Sequence, residues 1–209
     1  MFESLPSQLA HENKKFLYSA VQPGARAREY EESLQWLIQA GLVHQVFRIT
    51  KPGLPRKACD DLGAFKLYLC DVGLLRILAD LPATVFMQKN RLFTEFKGSL
   101  TENFILQHLR MSHSPRYWSR LNPSYEVDFV IQHGLTVIPV EVKEDRNITG
   151  TSLQKYQKQY SEQTPLRIRF SLQNLKLDGT LHNIPLYMVE AADELTELAL
   201  TQLTGSENR

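Results

Sequence analysis

Hydrophobic and polar positions change rhythm along the chain. Helical spacing dominates early: residues 7–21 form one candidate helix, and residues 26–40 a better one, with Leu34, Leu37 and Ile38 on one face. Gly41 ends that helix, because glycine accepts the left-handed backbone a helix terminus often needs. Residues 42–49 then read as a strand, a Pro-rich loop follows at 51–55, and residues 65–71 form a further strand before a short helix at 73–79. Helices followed by a strand and a loop predict a winged helix. Arg26, Arg28 and Lys51 could touch phosphates, but so few charges favour a protein-packing winged helix over a DNA reader.

Beyond residue 95 the pattern changes. Ser99 and Glu102 have the spacing of a capping box, which predicts a helix from there to about Met111, with Leu100, Phe104 and Leu109 on one face. A strand is expected at 116–120 and a hairpin over 126–143. A helix follows with Leu153, Tyr156 and Tyr160 as its buried stripe. Residues 166–170 alternate apolar and basic, residues 174–184 turn at Asp178-Gly179, residues 186–189 read as a short strand, and 191–203 as an amphipathic closing helix.

The hairpin carries the candidate chemistry. With His133-Gly134 as a two-residue turn, Val130 faces Val137, Asp128 faces Pro139 and Glu126 faces Glu141. Period-2 alternation then puts Val127, Phe129, Ile131, Ile138, Val140 and Val142 on one face, and Glu126, Asp128, Glu141 and Lys143 on the other. Asp128 and Glu141 become diagonal neighbours about 7–8 Å apart. Two carboxylates and an ammonium on one face suit a Mg²⁺ (or Mn²⁺) ion that activates water against a phosphodiester, with the Val142 carbonyl as a further oxygen ligand. Lys143 would stabilise charge in the transition state. Glu-x-Lys also decorates solvated strands, and Glu102 is explained equally by helix capping and by a role as third acid.

Composition narrows the partners. In 209 residues with 43% hydrophobic content and a net charge of +1, any contact with DNA must be local. Lys155 and Lys158 on the 151–160 helix, and Arg167 and Arg169 on the following strand, are the candidates for nucleic-acid contact, although a solvated helix face and a guarded sheet edge would look the same. Cys59 and Cys70 have no CxxC or His cluster, so a zinc site or disulfide framework is not indicated. The apolar run 65–81 is broken by Lys66, Asp71, Arg76 and Asp80 and cannot span a bilayer. No signal peptide opens the chain, and a cytoplasmic protein is expected.

The order helix, strand, hairpin, helix, strand from residue 99 resembles the restriction-endonuclease-like core of the PD-(D/E)xK superfamily, with Glu102, Asp128 and Glu141-Val142-Lys143 at its acidic and catalytic elements. Val127 stands where a proline often precedes the Asp. Three stretches, 30–43, 65–75 and 98–104 with 126–143, further resemble the C-terminal half of a bacterial and archaeal AAA-type ATPase family that carries domain of unknown function 4143. The resemblance implies an α/β protein with a winged-helix-like domain and connector at 1–94 and an endonuclease-like mixed-sheet domain at 95–209. It implies Mg²⁺-dependent DNA cleavage or, alternatively, a non-catalytic module binding nucleic acid or protein. The chain has no Gly-x-x-x-x-Gly-Lys-Ser/Thr, so it looks like a truncated member, a fragment or a split gene, with an ATPase domain as the expected partner.

Overall fold

The computed structural model describes residues 1–10, 14–24, 26–84, 94–121, 124–144 and 151–207. The protein is mixed α/β and forms two compact units, one of residues Met1–Phe47 with Asp61–Gln107, the other of Arg48–Asp60 with His108–Arg209.

In the first unit, α1 (Leu5–Leu9) is far shorter than the helix expected over 7–21. Beyond it the Phe16 N–H donates to Phe65 O at 2.9 Å, and the two rings stack with centroids 5.6 Å apart. A tertiary contact thus overrides local helical spacing. Helix α2 (Ala27–Gln39) begins where the Glu29 carboxylate accepts the Arg26 N–H and buries Leu34 and Leu37. Gly41, at φ +72°, ends it as expected. Strands β1 (Val43–Ile49) and β2 (Asp60–Leu69) are hydrogen-bonded neighbours, and α3 (Val72–Leu78) is capped by Asp71, whose carboxylate accepts the Leu74 N–H. These elements supply a helix and a strand pair; they do not by themselves define a winged helix.

Helix α4 (Thr94–Ser112) begins earlier than the capping box predicts, so Ser99 and Glu102 are interior residues. Ser99 Oγ donates to the Leu9 carbonyl, and the buried Asn103 amide bridges both backbone groups of Leu69. Side chains that look like a helix start in sequence therefore serve as ties between elements.

The second unit is built on β3 (Arg116–Leu121), β4 (Ser124–His133), β5 (Thr136–Val142), β6 (Arg167–Ser171), β7 (Lys176–Asp178) and β8 (Leu181–Pro185), in the order β3-β4-β5-β6-β8-β7. Pairing is antiparallel for β3–β4, β4–β5 and β7–β8, and parallel for β5–β6 and β6–β8. Arg48 and Ile49, the end of β1, pair parallel to β3. Asp60 anchors the 48–60 segment through a two-pronged ion pair, with its carboxylate oxygens 2.6 and 2.9 Å from Arg116 Nε and Nη2. Helix α5 (Thr151–Gln159) buries Leu153 and Tyr156 as expected, whereas Tyr160, expected in the same stripe, lies just past the helix and is half-buried. Residues 186–191 form a 3-10 turn, not the strand expected at 186–189, because Pro185 ends β8 there, and α6 (Ala192–Glu207) closes the unit. Among the described residues no helix is long and apolar enough to cross a membrane.

Candidate functional site

The β4–β5 hairpin differs from its expected register. His133 pairs with Thr136, so the turn is Gly134-Leu135, with Gly134 at φ +56° and Leu135 88% exposed. Val130 therefore faces Pro139 and Phe129 faces Val140, a shift of two residues that preserves parity. Extending that register by one residue sets Asp128 opposite Glu141. A bulge intervenes there: Arg116 pairs with Val130 but Trp118 with Val127, which leaves an extra residue in β4 at 128–129.

The bulge overturns one expected face. Val127 does not share a face with Phe129; it joins Val130, Val137, Trp118, Leu153 and Tyr156 in one core cluster under α5. Val130 and Phe129 are both fully buried, so both sides of the sheet are covered here, and the face expected to be polar is largely core. At the bulge Asp128 Oδ2 accepts the Val142 N–H at 2.7 Å, a bond the ladder would otherwise make. Val142, expected to lend its carbonyl to a metal, is thus engaged with the would-be metal ligand through its N–H.

Glu141 is buried and lies beside Arg169, its register partner across the parallel β5–β6 pair. Arg169 Nε donates to Glu141 Oε2 at 3.2 Å, and Lys143 Nζ lies 3.6 Å from Oε1. Both carboxylate oxygens therefore face cations of the chain itself. Arg167 is held to Thr180 Oγ1 at 3.1 Å, and its Nε is buried without a hydrogen-bond partner among the described residues. Burial, and then the charge of Arg169, lower the Arg167 pKa against the pull of Glu141.

Glu102 lies in the first unit and is closed in the same manner. Lys14 forms an ion pair with its Oε1, and the Tyr68 hydroxyl donates to Oε2 at 3.2 Å. Burial alone would raise this carboxyl; the charges of Lys14 and of the fully buried Lys66, with the hydrogen bonds from Lys14 and Tyr68, outweigh it and hold the group below the usual carboxylate range.

Each of these carboxylates is engaged by groups of the chain itself. Glu141 has no oxygen free of a cation, Asp128 commits one oxygen to the backbone, and among the described residues no three His, Cys, Asp or Glu side chains group as a metal site.

Lys155 and Lys158 have a different setting. With Gln159 of α5 and Trp118, Arg120 and Tyr125 of β3 and β4 they line an open groove of about 350 Å³. Arg120 is the cross-strand partner of Tyr125, and Lys155 Nζ lies 3.5 Å from the centroid of the Tyr125 ring. Beneath the groove Trp118 and Tyr156 meet edge to face at 5.1 Å. Among the described residues no carboxylate lines it. Sequence reading missed Arg120 and Tyr125; the i, i+2 spacing of Trp118 and Arg120, which puts both on one face of the strand, was the available signal.

The fold and groove define a mixed α/β protein of two units with a basic, aromatic-floored recess. Residues 97–189 match the domain of unknown function DUF4143, which is the domain the sequence resembles, and residues 1–85 match a second domain of unknown function, DUF8612. No curated protein matches. Among solved structures, the crystal structure of protein VC1899 from Vibrio cholerae is similar at 14% identity and a TM-score of 0.32, over 95% of this chain and 49% of that one. The chain thus spans about half the length of that protein, a likeness too remote to inform function.

Proposed function

We propose that the chain is a non-cleaving nucleic-acid-binding module, an α/β domain of nuclease-like layout whose former metal position is filled by its own cations. The observation that carries this reading is the groove of Arg120, Lys155 and Lys158, three cations over an aromatic floor with no carboxylate among the described residues that line it. Phosphates entering it would release counterions, an entropic gain independent of base sequence. The Tyr125 ring, already under the Lys155 ammonium, fixes that charge at the groove wall. Glu141 takes no part; its charge is spent on Arg169 and Lys143. The resemblance to AAA-type ATPases supports an ATPase domain, in this or another chain, as the partner supplying nucleotide hydrolysis.

The test is fluorescence anisotropy with labelled single-stranded, duplex and branched DNA across a salt series. Binding that weakens with salt is expected, and the triple variant Arg120→Ala/Lys155→Ala/Lys158→Ala should reduce the slope of log K against log salt by about 2–3. No binding, or an unchanged slope in the variant, defeats the proposal. A parallel assay with Mg²⁺ or Mn²⁺ should show no cleavage; cleavage by wild type that is lost in Lys143→Ala would install the nuclease reading instead.

A further inference from the structure

In the second unit, three histidines meet acids from one short stretch near the end of the chain. His108 Nδ1 lies 4.0 Å from Glu190 of the 3-10 turn, His113 Nε2 lies 2.6 Å from Asp193 Oδ1, and His133 Nε2 lies 2.7 Å from Glu197 Oε2, the last two acids belonging to α6. His113 is the informative one. Its Nδ1 lies 2.9 Å from the Gln132 carbonyl oxygen and its Nε2 faces a carboxylate, so both ring nitrogens point at groups that can only accept. A neutral imidazole has one N–H and would turn a lone pair on one of them; only the imidazolium donates to both.

We propose that α6 is latched to the second unit by the doubly donating His113 ring, assisted by His133, and that the latch opens when that ring gives up a proton. The sign follows from the geometry: protonation completes two charge-assisted bonds, and deprotonation removes one and sets two acceptors face to face. Asp193 does not limit the latch on the acid side until the carboxylate range. Burial alone would raise its carboxyl, but the hydrogen bonds from Ser112 and His113, with the charges of His113 and His133, hold it below its ordinary value. His182 on β8 is buried, and burial lowers its pKa, which disfavours an opposing charge there. Glu197 is largely exposed, so the His133 pair is screened and secondary.

Hydrogen exchange on the full chain tests this, with rates corrected for intrinsic pH dependence and normalised to amides of β5. Protection of the α6 amides should fall by at least about tenfold between pH 6 and pH 8, as loss of one charge-assisted bond implies. Asp193→Asn should abolish that fall, because the asparagine amide can donate to a neutral ring. Equal protection at both pH values in wild type, an undiminished fall in Asp193→Asn, or a neutral His113 ring by ¹⁵N chemical shift at pH 6 would overturn the proposal.

Discussion

Two basic regions of the second unit differ in what their cations face. Just past β5 and on β6, Lys143 and Arg169 are matched by Glu141 and buried or half-buried with it; on α5 and β3, Lys155, Lys158 and Arg120 face an aromatic ring, an amide and solvent. Residue type alone does not separate them. A cation already paired in a dry setting is a structural element, whereas one left over an open recess retains its charge for a ligand. The hairpin with the most suggestive sequence is therefore the quieter region, and the plainer helix is the one proposed to bind.

The comparison breaks most visibly if the buried pair is structural. Glu141→Ala should cost about 3–5 kcal/mol in chemical denaturation by stranding the Arg169 guanidinium, while Arg169→Met with Glu141→Leu together should cost much less, since apolar replacement of both partners is often tolerated. If Glu141→Ala unfolds at the same denaturant concentration as wild type, the pair is not structural. Next in size is Glu102→Gln, expected to destabilise the first unit by about 1–3 kcal/mol at neutral pH. Because the Glu102 pKa is depressed in the fold, its contribution is present above the unfolded value and is lost as pH falls through the acid range, so the difference between wild type and variant should shrink on acidification. A gap that persists to strongly acid pH contradicts this.

The groove predicts smaller effects of opposite character. Tyr125→Leu should leave stability nearly unchanged and weaken DNA binding by a factor of about 2–5, the loss of one cation–π contact that orients Lys155. The smallest effect concerns the floor. Tyr156 is buried, its hydroxyl has no hydrogen-bond partner among the described residues, and burial, with Tyr160 and Cys59 nearby, raises its pKa. Tyr156→Phe should be neutral or stabilising by up to about 1 kcal/mol, with DNA binding intact. Marked destabilisation would mean that the hydroxyl is satisfied after all.

Much of the local architecture was legible. Alternation announced β3 to β6, Gly41 and Asp178-Gly179 marked a helix end and a turn, and Leu153 and Tyr156 gave the buried stripe of α5. Each of these depends on neighbours within a few residues. The errors share the opposite cause. Residues 7–21 lost most of their expected helix to a backbone bond with Phe65, and Ser99 and Glu102 gave up capping for partners about ninety residues away, Leu9 and Lys14.

By itself the sequence determined that Asp128 and Glu141 would lie on the two strands of one hairpin, with Lys143 just beyond, because the alternating stretches and the glycine turn between them are local features. Tertiary structure decided what they meet. The bulge opposite Arg116 and Trp118 turned Asp128 onto the Val142 N–H, and the parallel pairing of β5 with β6 set Arg169 beside Glu141. Neither is encoded in a local period: a bulge depends on the partner strand, and a parallel register is fixed by the packing of the crossover helix between the strands, whose length leaves every offset open until the core closes.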